Sequence, residues 1–159
     1  MPVYHDIADT LVIAPNFKKR LSGVTSTIVA LVPCQRAMGV KIAALAPEGL
    51  PASVPRVRFR DLWKMWKRPA DAKVRIWHAR RNTEMLPGII LRDALRMPLK
   101  LVFTSAAQRD HSGYTKWLIR RMDAVIATSS QAASYLQVPH SIIMHGIDTN
   151  WFVPPADKA

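Results

Sequence analysis

The chain has a single cysteine, Cys34, among its 159 residues. That excludes an intramolecular disulfide and a cysteine-built zinc cluster, and it suits a reducing compartment. Long apolar runs are also missing. The longest, residues 24–34, is interrupted by Thr25, Ser26, Thr27 and Pro33 and is too short to span a bilayer. The first residues, Met1-Pro2-Val3-Tyr4-His5-Asp6, lack the basic start and apolar stretch of a secretory leader. Acidic residues are scarce, with 11 Asp and Glu against 23 Lys and Arg, a formal net charge of +12. A field of that sign favours an anionic partner: nucleic acid, an acidic membrane surface or a phosphorylated ligand. No zinc-finger, KH or RNP pattern is present, which argues against nucleic acid. No G-x-G-x-x-G follows the first apolar run, which argues against a nicotinamide-dependent oxidoreductase.

What is present is a globular composition, 49% hydrophobic and 21% charged, of a length that suits one domain with a real core. Short apolar runs alternate with amphipathic stretches. The pattern predicts strands at 11–14, 40–45, 74–77, 99–103, 124–127 and 141–144. It predicts helices at 24–38, 83–95 and 113–121, and from Ser129 or Ser130 to about Leu136. Gly39 should close the first helix, and Pro33 should kink it or mark its true end. Strands that are apolar on both faces imply a parallel sheet covered by helices on both sides. The alternation as a whole implies an α/β fold, a doubly wound Rossmann-like parallel sheet with right-handed crossovers.

In such a sheet the ligand sits beyond the carboxyl ends of the strands. After the first strand stands Ser22-Gly23, opening a helix. Glycine there lets the backbone approach a phosphate, although Ser22 as a simple helix cap accounts for the pair equally well. After the third strand come His78, Arg80, Arg81 and Asn82. After the fourth come Thr104 and Ser105, followed by Gln108, Arg109, Asp110 and His111. After the sixth come His145 and Gly146. Three histidines at strand ends point to a shared polar cleft around Gly23, His78, Arg80, His111 and Gly146.

The segment 56–68, RVRFRDLWKMWKR, carries Arg56, Arg58, Arg60, Lys64, Lys67 and Arg68 against one acid, Asp61. Drawn as a helix, it places Phe59, Leu62, Trp63 and Trp66 on one face. Either that face packs on the domain, or Trp63, Lys64, Trp66, Lys67 and Arg68 touch an anionic membrane.

Several pieces together resemble a known family. They are Val12-Ile13-Ala14-Pro15-Asn16-Phe17 with Ser22-Gly23, then Ile76-Trp77-His78, then Arg121-Met122-Asp123-Ala124-Val125-Ile126-Ala127-Thr128-Ser129. The last is His145-Gly146-Ile147-Asp148-Thr149 with Phe152-Val153-Pro154. In this order they resemble the N-terminal half of a family 4 glycosyltransferase of GT-B fold, nearest to mannosyltransferases of lipopolysaccharide core assembly. The resemblance implies a retaining transfer of a hexose, mannose by that likeness, from a nucleotide sugar such as GDP-mannose to a lipopolysaccharide core or similar acidic glycolipid. It implies no cofactor and no metal. Residues 1–153 would be the acceptor-side domain and 154–159 the start of a linker to a donor-binding domain, absent from this chain and supplied in cis or in trans. Ser22, Gly23 and Gly146 would lie at the donor phosphates. His78, Arg80, Arg81, Asn82 and Ser105 would line the acceptor side. Where many relatives carry a histidine after the fourth strand, this chain has Thr104-Ser105-Ala106, so His111 is the candidate catalytic substitute. The implied location is the cytoplasm, peripheral on the inner face of a bacterial cytoplasmic membrane. The alternatives are a non-catalytic membrane-associated module, one subunit of a split transferase, or a basic nucleic-acid-binding domain.

Overall fold

Short apolar runs become strands where their neighbours in the sheet are equally apolar, and six such runs, with one further strand at the edge, join here into one all-parallel sheet. In the order β3-β2-β1-β4-β5-β6-β7, the strands are β1 (Val12–Pro15), β2 (Ile42–Leu45), β3 (Arg56–Val57), β4 (Arg75–Ala79), β5 (Leu99–Ser105), β6 (Ala124–Ala127) and β7 (Ser141–Ile142). The helices are α1 (Gly23–Ala37), α2 (Asn82–Ile89), α3 (Gly113–Ile119) and α4 (Ser130–Ser134), with 3-10 helices at Ile7–Asp9 and Phe59–Trp66. The structure, a computed structural model, describes residues 2–18, 22–47, 49–144 and 146. The readings placed on His145, on 147–153 and on the linker at 154–159 lie outside the described residues.

Successive strand residues face opposite ways, and the core divides accordingly. Ile13, Ala43, Leu45, Trp77, Leu101 and Phe103 point to one face, where Met65, Met85, Ile89, Leu118 and Ile119 cover them. Ala14, Ile42 and Ala44 point to the other face, under Ile28 and Val32 of α1. The α1 side is thus covered by α1 and by Leu50 and Val54 of the 46–55 connection, and the other crossovers lie on the opposite side of the sheet. Among the described residues, the expected cover on both sides is only half realised. On the α1 side, Lys100 and Ala124 are exposed, and Val102, Thr104 and Ile126 are half-buried. No described element lies over β5, β6 and β7 there.

β3 was not expected, because 56–68 reads as the start of an amphipathic helix. Arg56 instead pairs beside Ala44 and turns its guanidinium onto the carbonyls of Leu50 and Pro51. A buried arginine on a two-residue strand gives no apolar signal. Pro33 lies inside α1, which runs on to Ala37. Gly39, at φ 88°, supplies the left-handed residue after the cap. The helix expected at 83–95 is α2 followed by a π-helical turn, Ile90–Ala94, in which the Leu95 N–H reaches back to the Ile90 carbonyl at 3.0 Å. β7 stops at Ile142, two residues short of the expected strand.

Candidate functional site

β1 leads through α1 to β2 on one side, and β4 leads through α2 to β5 on the other. The sheet therefore has its topological switch point between β1 and β4, where the carboxyl ends of two diverging units leave a crevice. The amino termini of α1 and α2 stand over it from opposite faces.

Ser22 caps α1 in an extended conformation, and its Oγ accepts from the Thr25 N–H at 3.4 Å. Its position is fixed from across the crevice by Arg81. One Arg81 nitrogen, Nη1, donates to Asn16 Oδ1 at 2.8 Å and to Glu84 Oε1 at 3.0 Å. The other, Nη2, donates to Ser22 Oγ at 2.6 Å and to Thr25 Oγ1 at 3.3 Å. One guanidinium thus ties together the ends of β1 and β4 and the starts of α1 and α2. Glu84, fully buried, also accepts from the backbone N–H groups of Arg80 at 2.8 Å and Arg81 at 3.1 Å. Burial pushes its carboxyl above the usual range, against the opposing pull of those donors and of the two arginines. Asn16, Thr25 and Glu84 carried no site reading from the sequence. The one available signal was Glu84 at the third helical position, where a carboxylate reaches back to a helix start.

The surface over this network is a groove of three adjoining hollows. The first, about 470 Å³, is lined by Ser22, Gly23, Val24, Thr27, Arg80 and Thr104, among others. A second, about 380 Å³, shares Lys18, Val24 and Arg80 with it and adds Asn82, Ser105 and His111. The third, about 1050 Å³, continues over Asn82, Gln108, Arg109 and His111. Lys18, Arg80 and Arg109 make the groove electropositive. A side chain at Gly23 would meet no protein atom within 4 Å, so the fold itself does not require glycine there.

The predicted site residues are sorted by this geometry. Ser22, Gly23, Arg80, Asn82, Ser105 and His111 share the groove wall. Arg81 also borders it, with its guanidinium engaged by four side chains. His78 sits behind the wall, its Nε2 at 2.7 Å from Thr104 Oγ1. Burial, with Arg80 adding to it, lowers the His78 pKa to about 3, so the ring is neutral. His111 Nε2 lies 3.2 Å from Ser105 Oγ, and its ring meets Phe103 edge-on at 6.3 Å. Burial also lowers its pKa, with Asp110 opposing. Gly146 is exposed and is not among the groove residues. Trp63, Lys64, Lys67 and Arg68 line a separate hollow of about 410 Å³ beside Arg75, the first residue of β4, at the amino end of the sheet. Among the described residues no three metal-ligating side chains converge, and no helix is long and apolar enough to cross a membrane.

No family model matches the chain, and no solved structure does. Two curated relatives do. The chain is 67% identical over 153 residues to the lipopolysaccharide core biosynthesis mannosyltransferase LpsB of Rhizobium meliloti (strain 1021). It is 62% identical over 150 residues to the lipopolysaccharide core biosynthesis mannosyltransferase LpcC of Rhizobium leguminosarum bv. viciae. These alignments take in 96% and 94% of this chain but only 43% and 42% of the relatives. The chain therefore corresponds, along nearly all its length, to about two fifths of proteins named for mannosyl transfer in lipopolysaccharide core synthesis.

Proposed function

We propose that the chain forms the acceptor-side domain of a retaining glycosyltransferase of family 4 and GT-B fold, which moves mannose from GDP-mannose to a lipopolysaccharide core or similar acidic glycolipid. The observation that carries this reading is the 67% identity to a relative named for that synthesis. An electropositive groove at the switch point of a parallel sheet supports it. In this reading the donor diphosphate approaches the start of α1 at Ser22 and Gly23, where free helix N–H groups favour an anion. Gly146 belongs to the crossing into a donor-binding domain. Arg80, Asn82 and Ser105 face the acceptor, while His78 and Arg81 hold the wall behind them.

In the transfer, the bond from the sugar C1 to the diphosphate oxygen breaks and a bond from C1 to the acceptor oxygen forms on the same face. The departing diphosphate takes the acceptor proton. Neutral His111, held by Ser105, stands where it can orient the acceptor hydroxyl. The protein is peripheral on the cytoplasmic face of the inner membrane, attached in part through Trp63, Lys64, Trp66, Lys67 and Arg68.

The test compares this chain alone with the same chain fused to the remaining segment of the R. meliloti relative, using radiolabelled GDP-mannose and inner-core lipopolysaccharide. The chain alone should show no turnover and the fusion should transfer mannose. In the fusion, Gly23→Ala should raise the donor KM about tenfold or more at an unchanged melting temperature, since the added methyl meets ligand and not protein. Robust transfer by the 159 residues alone would mean that the donor site is misplaced. A folded fusion that transfers no sugar would favour a non-catalytic module.

A further inference from the structure

The outer surface of the helical layer is apolar where it should be polar. α2 buries Met85, Gly88 and Ile89 against the sheet, yet its opposite side carries exposed Leu86 and Ile90. α3 buries Leu118 and Ile119, yet its opposite side carries Tyr114 and Trp117, 50% and 43% exposed. Those two rings stack at 6.3 Å, and the Arg121 guanidinium lies 4.4 Å over the Trp117 ring. The 3-10 helix Phe59–Trp66 adds Trp63 and Trp66, 64% and 52% exposed. The patches are joined. Trp66 Nε1 donates to the Leu95 carbonyl at 2.7 Å, and Arg121 approaches Asp93 at 4.0 Å. Of the six exposed aromatic side chains among the described residues, four, Trp63, Trp66, Tyr114 and Trp117, sit on this face.

We infer that the outer face of the whole helical layer, and not the 63–68 segment alone, lies on an anionic membrane surface, with the groove opening sideways along it. This rests on the peripheral attachment proposed above. The chemistry of the face selects the occupant. Amphipathic rings flanked by arginine and lysine suit the headgroup level of a bilayer. Arg60, Lys67, Arg68 and Arg120 form no ion pair among the described residues, and unpaired cations seek lipid phosphates. A contiguous apolar face rimmed by charge marks an interaction surface. The strands run parallel to this face, and the groove lies at their carboxyl ends. One helix diameter, roughly 10–12 Å, therefore separates the sheet from the lipid. An acceptor anchored in the same membrane would enter the groove from its side.

The experiment is co-sedimentation of the full chain with phosphatidylcholine vesicles, with or without phosphatidylglycerol, across a salt series. The wild type should bind only the anionic vesicles and release with salt. The pair Tyr114→Ser and Trp117→Ser, and separately the pair Trp63→Ser and Trp66→Ser, should each weaken binding about tenfold or more with the melting temperature unchanged. If only the second pair weakens binding, the inference is overturned while peripheral attachment stands. If the wild type binds no vesicle, both fall. If the first pair dissolves a dimer in sedimentation velocity and leaves vesicle binding intact, the face joins two copies and the inference fails. Should that pair unfold the domain, Arg120→Glu decides: weakened binding supports the inference, and unchanged binding overturns it.

Discussion

Gly88 shows what a single hydrogen atom in place of a methyl does for this fold. A Cβ there would lie 2.6 Å from Cδ1 and 2.8 Å from Nε1 of Trp77. The buried indole is itself held by a 2.8 Å bond to the Glu84 carbonyl. Gly88→Ala should therefore push the ring off that carbonyl and cost about 1–3 kcal/mol, read from the urea midpoint. His78 sets a pH dependence. Its folded pKa of about 3 lies below the ordinary 6.5 of the unfolded chain. Between these values only the unfolded state takes the proton, so stability is full above pH 6.5 and declines as pH falls toward 3. Buried Glu84, shifted upward, works in the opposite direction. Subtracting the urea midpoints of His78→Gln from those of the wild type, from pH 7 to 4, isolates the histidine. The difference should shrink as pH falls, and a flat difference would mean that the ring is solvated. The sequence placed His78, Arg80 and Arg81 at one strand end but could not say which faced the groove. That depends on Asn16, Ser22 and Thr25, far away along the chain, which draw Arg81 inward.

At the scale of elements, the segment 56–68 shows why a helical wheel misled. In a 3-10 helix with about three residues per turn, side chains align every third position. Phe59, Leu62 and Met65 form the inward row, and Met65 is fully buried. Arg60, Trp63 and Trp66 form the outward row, so the aromatic face drawn for an α-helix is split in two. The helix is anchored by Arg75, which is buried and was read only as part of a strand. Its guanidinium donates to the carbonyls of Ile7, Ala8, Thr10, Met65 and Lys67. Arg75→Met keeps the apolar stem but takes a donor from each of those carbonyls, of which Ile7 retains the Thr10 N–H. The expected loss is about 3 kcal/mol or more, with Trp63 and Trp66 fluorescence changing before the global transition. Strands with apolar sequence neighbours, such as β2, β5 and β6, were legible because burial and pattern agree there. β3 was not, since a backbone ladder to β2 and a chain of carbonyls around Arg56 create it.

For the whole molecule, the switch in crossover direction at β1 and β4 was foreshadowed by the alternation of strands and helices. That no described element covers β5 to β7 on the α1 side was not, because Val102 and Ile126 read as core on either face. The groove sits on the β1–β4 seam, and that seam has a consequence for how the chain folds. β1, β2 and β3 are joined in sequence order, and so are β4 to β7, but among the described residues the strand ladders of the two sets join only where Val12 pairs with Ile76 and Ile13 with Trp77. Such pairings of distant segments form late and slowly, because a long loop must close before any contact rewards it. Ser22 and Asn16 arrive with the first set, and Arg81 and Glu84 with the second. A nascent chain therefore holds at most the outer hollow over Asn82 and Arg109, and the part of the groove over Ser22 and Gly23 comes into being at the moment the two halves close.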